Sequence, residues 1–168
     1  MLVGQFEIPM SVNEEVFSYA YKNGVQTVLN PAPANKPTDV LLENTSWFIP
    51  NEVEFEEIYG EVFNEDNLLL FANDLKTNVV VTLGEKGCAY IKNNSVEIMN
   101  TDTVKAIDTT GAGDAFVGAF SFGVASKLEI EECLKLALQK ATDSVTKKGT
   151  QSSYCLLYTS PSPRDRIS

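Results

Sequence analysis

The chain has 168 residues, 43% of them hydrophobic, and its 13 basic against 23 acidic side chains give a net charge of −10. This composition predicts one globular domain with a buried core, and the negative balance argues against nucleic acid or an anionic membrane as the default partner. Because the sequence contains no histidine, catalysis by Ser-His-Asp or Cys-His arrangements and His-based zinc sites are excluded, and any catalytic proton acceptor is expected to be a carboxylate.

The pattern of apolar residues predicts alternating helices and strands. In chain order it indicates a helix at 12–21, a strand at 25–29, a short helix at 38–43, a short strand at 47–49, helices at 52–59 and 66–75, a strand at 78–83, a hairpin of 89–92 with 96–99 around Asn93-Asn94, and helices at 113–125 and 130–146. Such alternation predicts an α/β fold, with a mostly parallel sheet covered by helices on its faces.

Three unusual loops follow predicted strands. They are Asn30-Pro31-Ala32-Pro33, Pro50-Asn51-Glu52-Val53-Glu54 and Thr82-Leu83-Gly84-Glu85-Lys86-Gly87. Since ligands of open parallel sheets bind at the carboxyl ends of the strands, we expect these loops to open on one edge of the sheet.

A fourth loop, Asp108-Thr109-Thr110-Gly111-Ala112-Gly113-Asp114, precedes an apolar helix pattern. Its paired glycines allow backbone N–H groups to turn inward as an anion-binding nest, and the following helix adds its positive dipole end. Asp114 would lie beside the bound anion, where it can accept a proton. Taken alone, the motif is better explained as a tight turn with a helix-start carboxylate. Neither a G-x-G-x-x-G nor a G-x-x-x-x-G-K-[ST] nucleotide motif is present.

These loops, together with Val145 to Ser153, occur in the order and spacing of the ribokinase-like carbohydrate kinase family, which residues 2–154 resemble over their whole length. The resemblance implies a three-layer α/β fold with a mostly parallel central sheet. It also implies ATP-dependent phosphorylation of D-ribose at its 5-hydroxyl, in the cytoplasm, with Mg²⁺ and K⁺ as cofactors. The three scattered cysteines, none in a C-x-x-C pair, also favour a reducing compartment.

By the same resemblance, Asp114 is the base that deprotonates the sugar, and Gly111, Ala112 and Gly113 form the anion hole. Asn51 and Glu54 would organise Mg²⁺, largely through water; the alternative is a helix cap. The residues matching ATP contacts are Asn30, Thr82, Leu83, Gly84, Glu85, Lys86, Gly87 and Gly113, for which plain turns are the alternative.

The remaining family positions are less specific. Glu7 matches a sugar contact and is otherwise a surface acid. The residues matching K⁺ ligands, mainly through main-chain oxygens, are Asp108, Thr110, Ser144, Lys147, Gly149 and Ser153; the alternative is two loops joined by hydrogen bonds alone. Leu138 departs from the family, which often has Asn or His near adenine, so nucleotide preference at this point is in doubt.

The sequence also leads us to expect a fragment. The N-terminal strands, the Gly-rich sugar motif and the β lid of the family have no counterpart, so residues 1–154 would be a partial kinase domain with little activity in isolation. The family homodimer, formed through the lid, is not inferable here. Residues 155–168 resemble a translated transposase adapter rather than a native Pro/Ser-rich tail. Two other hypotheses remain, another sugar or nucleoside kinase and a non-catalytic nucleotide-binding fragment.

Overall fold

The computed structural model of the chain describes residues 1–75 and 77–150, which form six strands and six α-helices. They are β1 (Leu2–Gly4), α1 (Met10–Lys22), β2 (Thr27–Leu29), α2 (Asp39–Glu43), β3 (Trp47–Phe48), α3 (Glu52–Tyr59), α4 (Glu65–Leu75), β4 (Asn78–Thr82), a 3₁₀ turn (Gly84–Lys86), β5 (Cys88–Lys92), β6 (Ser95–Met99), α5 (Ala112–Ala125) and α6 (Ile130–Val145). The predicted elements are confirmed in type and order, with ends shifted by at most two residues.

The strands form one sheet in the order β1-β2-β3-β4-β5-β6. Strands β1 to β4 run parallel, and β5 and β6 are antiparallel to their neighbours. Asn93 and Asn94, with φ of 50° and 62°, make the tight hairpin turn between β5 and β6, as their residue type predicts. The prediction of a mostly parallel sheet is therefore confirmed.

The apolar run of β4 supplies side chains to both faces of the sheet. Val79 and Val81 belong to the core on one face, with helices α1 to α4, whereas Val80 belongs to the core on the other face, with α5 and α6. All three valines are at most 2% exposed. This alternation explains why the three central positions of a strand covered on both sides are all apolar, and it makes the fold three layers deep.

Strand β1 was absent from the prediction because it is only three residues long and ends in Gly4, which weakens any strand pattern. It forms because Leu2, Val3 and Gly4 pair in parallel with β2. Close packing against α1 requires glycine at position 4, since a Cβ there would lie 2.6 Å from the ring of Phe17.

Helices α5 and α6 pack closely at Gly123, and this contact yields a stability prediction. A Cβ added there would lie 2.8 Å from Cys133 Sγ and 3.1 Å from its Cα. We therefore expect Gly123→Ala to lower the free energy of unfolding by about 1–3 kcal/mol, because the helices must separate. The measurement is chemical denaturation of the chain.

Gly118 in the same helix provides the matched control. Nothing lies within 4 Å of a Cβ at this position, so Gly118→Ala should raise the free energy of unfolding by about 0.5–1 kcal/mol through helix propensity alone. Equal effects of the two substitutions would contradict the packing argument.

Among the described residues, no helix is both long enough and apolar enough to cross a bilayer.

Candidate active site

The loops after β2, β3 and β4 meet at one edge of the sheet, as their position after parallel strands predicts. Asn51 and Thr82 form an isolated parallel bridge there. A cleft of about 180 Å³ opens beside them. Its walls are Asn30, Ala32, Ile49, Asn51, Glu54, Thr82, Gly111, Gly113, Asp114 and Val117. The start of α5 thus reaches the same cleft as the three strand-end loops.

Helix α5 begins at this cleft with two unused backbone donors. Gly111 is its N-cap in the left-handed conformation, with φ of 78°, which a residue with a Cβ adopts only with strain. The N–H groups of Ala112 and Ala115 donate to Thr109 and Gly111 oxygens. For Gly113 and Asp114, by contrast, the described part of the chain offers no acceptor. The first turn of α5 therefore presents two free N–H groups and an exposed carboxylate to one cleft.

A side chain that sequence reasoning missed contacts that carboxylate. Gln5 Nε2 lies 3.0 Å from Asp114 Oδ1 and 3.3 Å from Asn30 Oδ1. Asn30 in turn donates from Nδ2 to the carbonyl oxygen of Ile49, at 2.8 Å. Gln5 belongs to no motif, and its only sequence signal is its place two residues before Glu7.

Asn51 and Glu54 form a complete capping box at the start of α3. Asn51 Oδ1 accepts from the Glu54 N–H and Glu54 Oε2 accepts from the Asn51 N–H, both at 2.8 Å. The pKa of Glu54 is raised above its ordinary value. Burial is the largest cause; the hydrogen bond from the Asn51 N–H partly offsets it, and the negative charge of Glu57 adds to it. The cap that the sequence left as an alternative is thus present, and the same two side chains also line the cleft.

A larger cleft of about 350 Å³ lies on the other side of Thr82 and Gly113, which line both. Of the predicted nucleotide residues, Gly84, Glu85 and Gly87 line it, as does Leu138, while Leu83 and Lys86 do not. Its remaining walls are Thr101, Asp102, Thr103, Val104, Ala106, Thr109, Ala112, Phe116, Ala141, Thr142 and Val145. The stretch 101–104 escaped the sequence analysis because it is an irregular connection with no motif.

The two glycines of the β4 loop have different structural reasons. Gly84 has a φ of 58° and open space where a Cβ would lie, so its neighbourhood is clear for a ligand. A Cβ on Gly87, whose φ is 99°, would lie 2.0 Å from the carbonyl oxygen of Met99. Close packing of β6 therefore requires glycine at position 87 whether or not a ligand binds.

Asp108 joins the two loops for which a cation was predicted. Its carboxylate accepts from the Thr110 N–H at 3.0 Å and from the Gly149 N–H at 3.1 Å. The Thr110 N–H and hydroxyl, and then the Gly149 N–H, lower the pKa of Asp108. The Ser144 carbonyl accepts from the Lys147 N–H at 3.3 Å. Hydrogen bonds thus connect the loops, and K⁺ stays a prediction.

Two predicted features lie apart from these clefts. Glu7 is exposed and lines neither of them, so the structure does not bring it together with Asp114. Ser153 and the predicted adapter tail lie outside the described residues.

Comparison with known proteins places these clefts in a family context. Residues 4–155 match the family model described as pfkB family carbohydrate kinase. A deoxyribokinase of Salmonella typhi is 35% identical over 160 residues, which are 92% of this chain and 52% of that protein. A ribokinase of Haemophilus influenzae is 39% identical over 157 residues, covering 90% of this chain and 51% of that protein.

A solved structure has a similar fold. The Arabidopsis thaliana ribokinase complexed with ribose and ATP superimposes with a TM-score of 0.84 at 29% identity, over 90% of this chain and 51% of that one. The chain spans about half the length of the curated relatives it matches.

Proposed function

The chain belongs to the pfkB family of carbohydrate kinases, and from that premise we propose that it forms the nucleotide-binding and catalytic part of an ATP-dependent kinase for the 5-hydroxyl of D-ribose. One observation carries the proposal. An exposed carboxylate, Asp114, and two N–H groups without an acceptor in the described part of the chain share one cleft at the start of α5, and a second cleft of about 350 Å³ adjoins it across Gly113.

Asp114 acts in this proposal as the proton acceptor. A hydroxyl that enters the smaller cleft meets its carboxylate. The proton passes to Asp114 as the hydroxyl oxygen bonds to the terminal phosphorus of ATP, and the bond from that phosphorus to the bridging oxygen breaks to release ADP. Since the transition state of phosphoryl transfer is loose, a weakly basic carboxylate suffices. The reaction depends mainly on holding the two substrates in line, which the adjoining clefts make feasible.

The N–H groups of Gly113 and Asp114 stabilise the charge on the transferred phosphoryl group. They belong to the first helical turn after Gly111, which has the left-handed conformation, and their residues line the cleft, so they need no reorganisation when the charge develops. The positive end of the α5 dipole acts in the same direction.

The residues near Asn51 fit Mg²⁺ only as an ion held mostly by water and phosphate. Among the described residues no group of three or more Asp, Glu, His or Cys side chains is placed to hold a metal. Glu54 Oε2 and Asn51 Oδ1 each already accept one N–H, and their remaining lone pairs can order water. Bound Mg²⁺ would neutralise phosphate charge. This arrangement matches the preference of Mg²⁺ for keeping several waters.

A cation between the loops of Asp108 and Gly149 would have to be held by main-chain carbonyls. Both carboxylate oxygens of Asp108 already accept N–H groups. We retain K⁺ and a cytosolic location as part of the proposal; the free, buried Cys88 and Cys133 agree with a reducing compartment.

The test uses a chimera in which residues 1–154 of this chain replace the matched half of the Haemophilus influenzae ribokinase. ADP release is measured with D-ribose, 2-deoxy-D-ribose, fructose 6-phosphate and adenosine as acceptors. We expect the highest kcat/KM with D-ribose. Because the Gly-rich sugar motif and the lid come from the Haemophilus influenzae half, a second chimera with the N-terminal half of the Salmonella typhi deoxyribokinase is assayed in parallel. Better turnover on the deoxyribokinase half than on the ribokinase half would revise the substrate, and absence of turnover by both folded chimeras would refute the proposal.

A second candidate, a nucleotide-binding chain without catalysis, is favoured by one observation. The larger cleft is built from residues of this chain, whereas the predicted sugar contact Glu7 lies outside both clefts. Calorimetry of the isolated chain with ATP and Mg²⁺ tests it. Binding without any turnover by the chimera would favour this candidate.

Gly113 offers a further prediction, because its side of the helix faces open space. A Cβ there meets nothing within 4 Å, so Gly113→Ala should leave the free energy of unfolding unchanged or raise it by up to about 1 kcal/mol. The methyl group would stand where phosphate must approach the free N–H groups. We therefore expect kcat of the chimera to fall on the order of 10²-fold, as for loss of one oxyanion donor.

Gly118→Ala is again the control, since it adds the same methyl group to the same helix away from the clefts. Undiminished turnover of Gly113→Ala would contradict the placement of the phosphoryl group at the start of α5.

A further inference from the structure

Gln5, which follows β1, contacts the proposed base directly. Its Nε2 lies 3.0 Å from Asp114 Oδ1 and 3.3 Å from Asn30 Oδ1. An amide nitrogen carries two hydrogens, and these two contacts use both. The side chain thus joins the residue after β1 to the first turn of α5, and the two contacting residues, Gln5 and Asp114, are 109 residues apart in the chain.

The orientation of this amide is dictated by a main-chain carbonyl. The oxygen of Ile49 can only accept, so the group that Asn30 presents to it at 2.8 Å must be its NH₂. Asn30 Oδ1 then faces Gln5 and can only accept. Gln5 must therefore present its own NH₂ to this side, and its second hydrogen points to Asp114 Oδ1. A flipped Gln5 amide would set oxygen against oxygen at both contacts.

The backbone of Gln5 is held as firmly as its side chain. Asn13 of α1, which is 1% exposed, donates from Nδ2 to the Gln5 carbonyl oxygen at 2.7 Å. Helix α1 approaches this close because residue 4 is glycine; a Cβ there would lie 2.9 Å from Asn13 Oδ1. The buried amide of Asn13 therefore holds the backbone of Gln5, and Asn30 holds its side chain.

We propose that Gln5 is a positioning residue that assigns different tasks to the two oxygens of Asp114. By occupying Oδ1, it fixes the rotation of the carboxylate and leaves Oδ2 to accept the proton of the substrate hydroxyl. This inference rests on the proposed function. Gln5 itself takes no part in the proton transfer, and its effect is on the fraction of time that Oδ2 faces the hydroxyl.

The test compares the chimera with its Gln5→Leu and Gln5→Glu variants. Leucine has a similar size and no donor, and glutamate has no donor and adds a negative charge next to Asp114. Because a misplaced catalytic group costs on the order of 10²-fold, we expect kcat to fall by about 10- to 100-fold in both variants, with KM for ATP unchanged. In an Asp114→Asn background, Gln5→Leu should cause no further fall, since the base that it positions is gone.

Gln26→Leu is the matched control. Gln26 is exposed just before β2, at the opposite end of the strands from the clefts, so its replacement should leave kcat unchanged. Melting temperatures of all variants are recorded, and Gln5→Glu, which keeps the shape of glutamine, replaces Gln5→Leu if the latter unfolds at the assay temperature.

The outcomes separate this inference from the proposed function. A fall in kcat at constant KM that vanishes in the Asp114→Asn background supports it. Full turnover of both Gln5 variants beside a disabled Asp114→Asn, or a rise in KM at constant kcat, overturns it alone. An unsubstituted chimera without turnover overturns the proposed function and this inference together.

Discussion

Asp114→Asn is expected to reduce kcat of the chimera by about 10²- to 10⁴-fold, the range in which a general base contributes. The fold should not change, because the asparagine oxygen can still accept from Gln5 Nε2, as Asp114 Oδ1 does at 3.0 Å. The substitution also keeps the free N–H at the start of α5. Only the capacity to take up the proton is lost, and the measurement is ADP release under saturating D-ribose and ATP.

Asp66→Asn controls for the loss of a carboxylate in the first turn of a helix. Asp66 is the second residue of α4, and like Asp114 it is exposed, so both substitutions weaken a favourable charge–dipole interaction by a similar small amount. The control should keep full turnover. If Asp114→Asn did so too, the proton would have to be accepted by another group, and the cleft would lose its proposed base.

The sequence predicted those parts of the fold that depend on local pattern. The continuous apolar run of β4 and the helical spacing of α1 and α6 each reflect burial on a sheet with helices on both faces. Strand β1 could not be predicted, because three residues ending in Gly4 carry no periodicity. It exists because it pairs with β2, and pairing between distant segments cannot be predicted from a short stretch of sequence.

One part of the candidate site could be predicted from the sequence, and another part could not. Loops that follow parallel strands must share an edge, so the meeting of Asn30, Asn51 and Thr82 in one cleft followed from the order of the elements. The contact between Gln5 and Asp114 did not, since it depends on side-chain directions across 109 residues. Glycine at position 87 shows the converse: its residue type suggested a ligand, and the structure supplies a packing reason.

Glu54→Gln separates the two roles of Glu54, the cap of α3 and the proposed ordering of Mg²⁺. The glutamine oxygen can accept from the Asn51 N–H as Glu54 Oε2 does at 2.8 Å, so the cap is kept. Burial is the main cause that raises the pKa of Glu54 in the folded protein, which means that folding disfavours its ionised form. At pH 7 the free energy of unfolding of the Glu54→Gln protein should therefore equal or exceed that of the native protein.

The pH dependence of that difference follows from the direction of the shift. A carboxyl whose folded pKa exceeds its unfolded value destabilises the fold while it is ionised, and the cost is relieved as the pH falls through the folded pKa. The stability advantage of Glu54→Gln should therefore shrink on acidification, because native Glu54 becomes neutral as well. Denaturation of both proteins between neutral and acidic pH measures this. Glu54→Ala, which removes the acceptor, should instead cost about 1 kcal/mol.

Glu54→Gln should impair the turnover of the chimera, although it does not lower the stability. If the charge of Glu54 orders the waters around Mg²⁺, its loss should lower kcat or raise the Mg²⁺ concentration needed for half-maximal rate by about 10- to 100-fold, as for other outer-sphere groups. Glu132→Gln is the matched control, because Glu132 Oε2 accepts from the N–H of the N-cap residue Glu129 at 3.2 Å at the start of α6, and Glu132 lines neither cleft. A stable Glu54→Gln protein with the native Mg²⁺ requirement and native kcat would reduce Glu54 to a helix cap, since the only property removed is the charge that the metal would need.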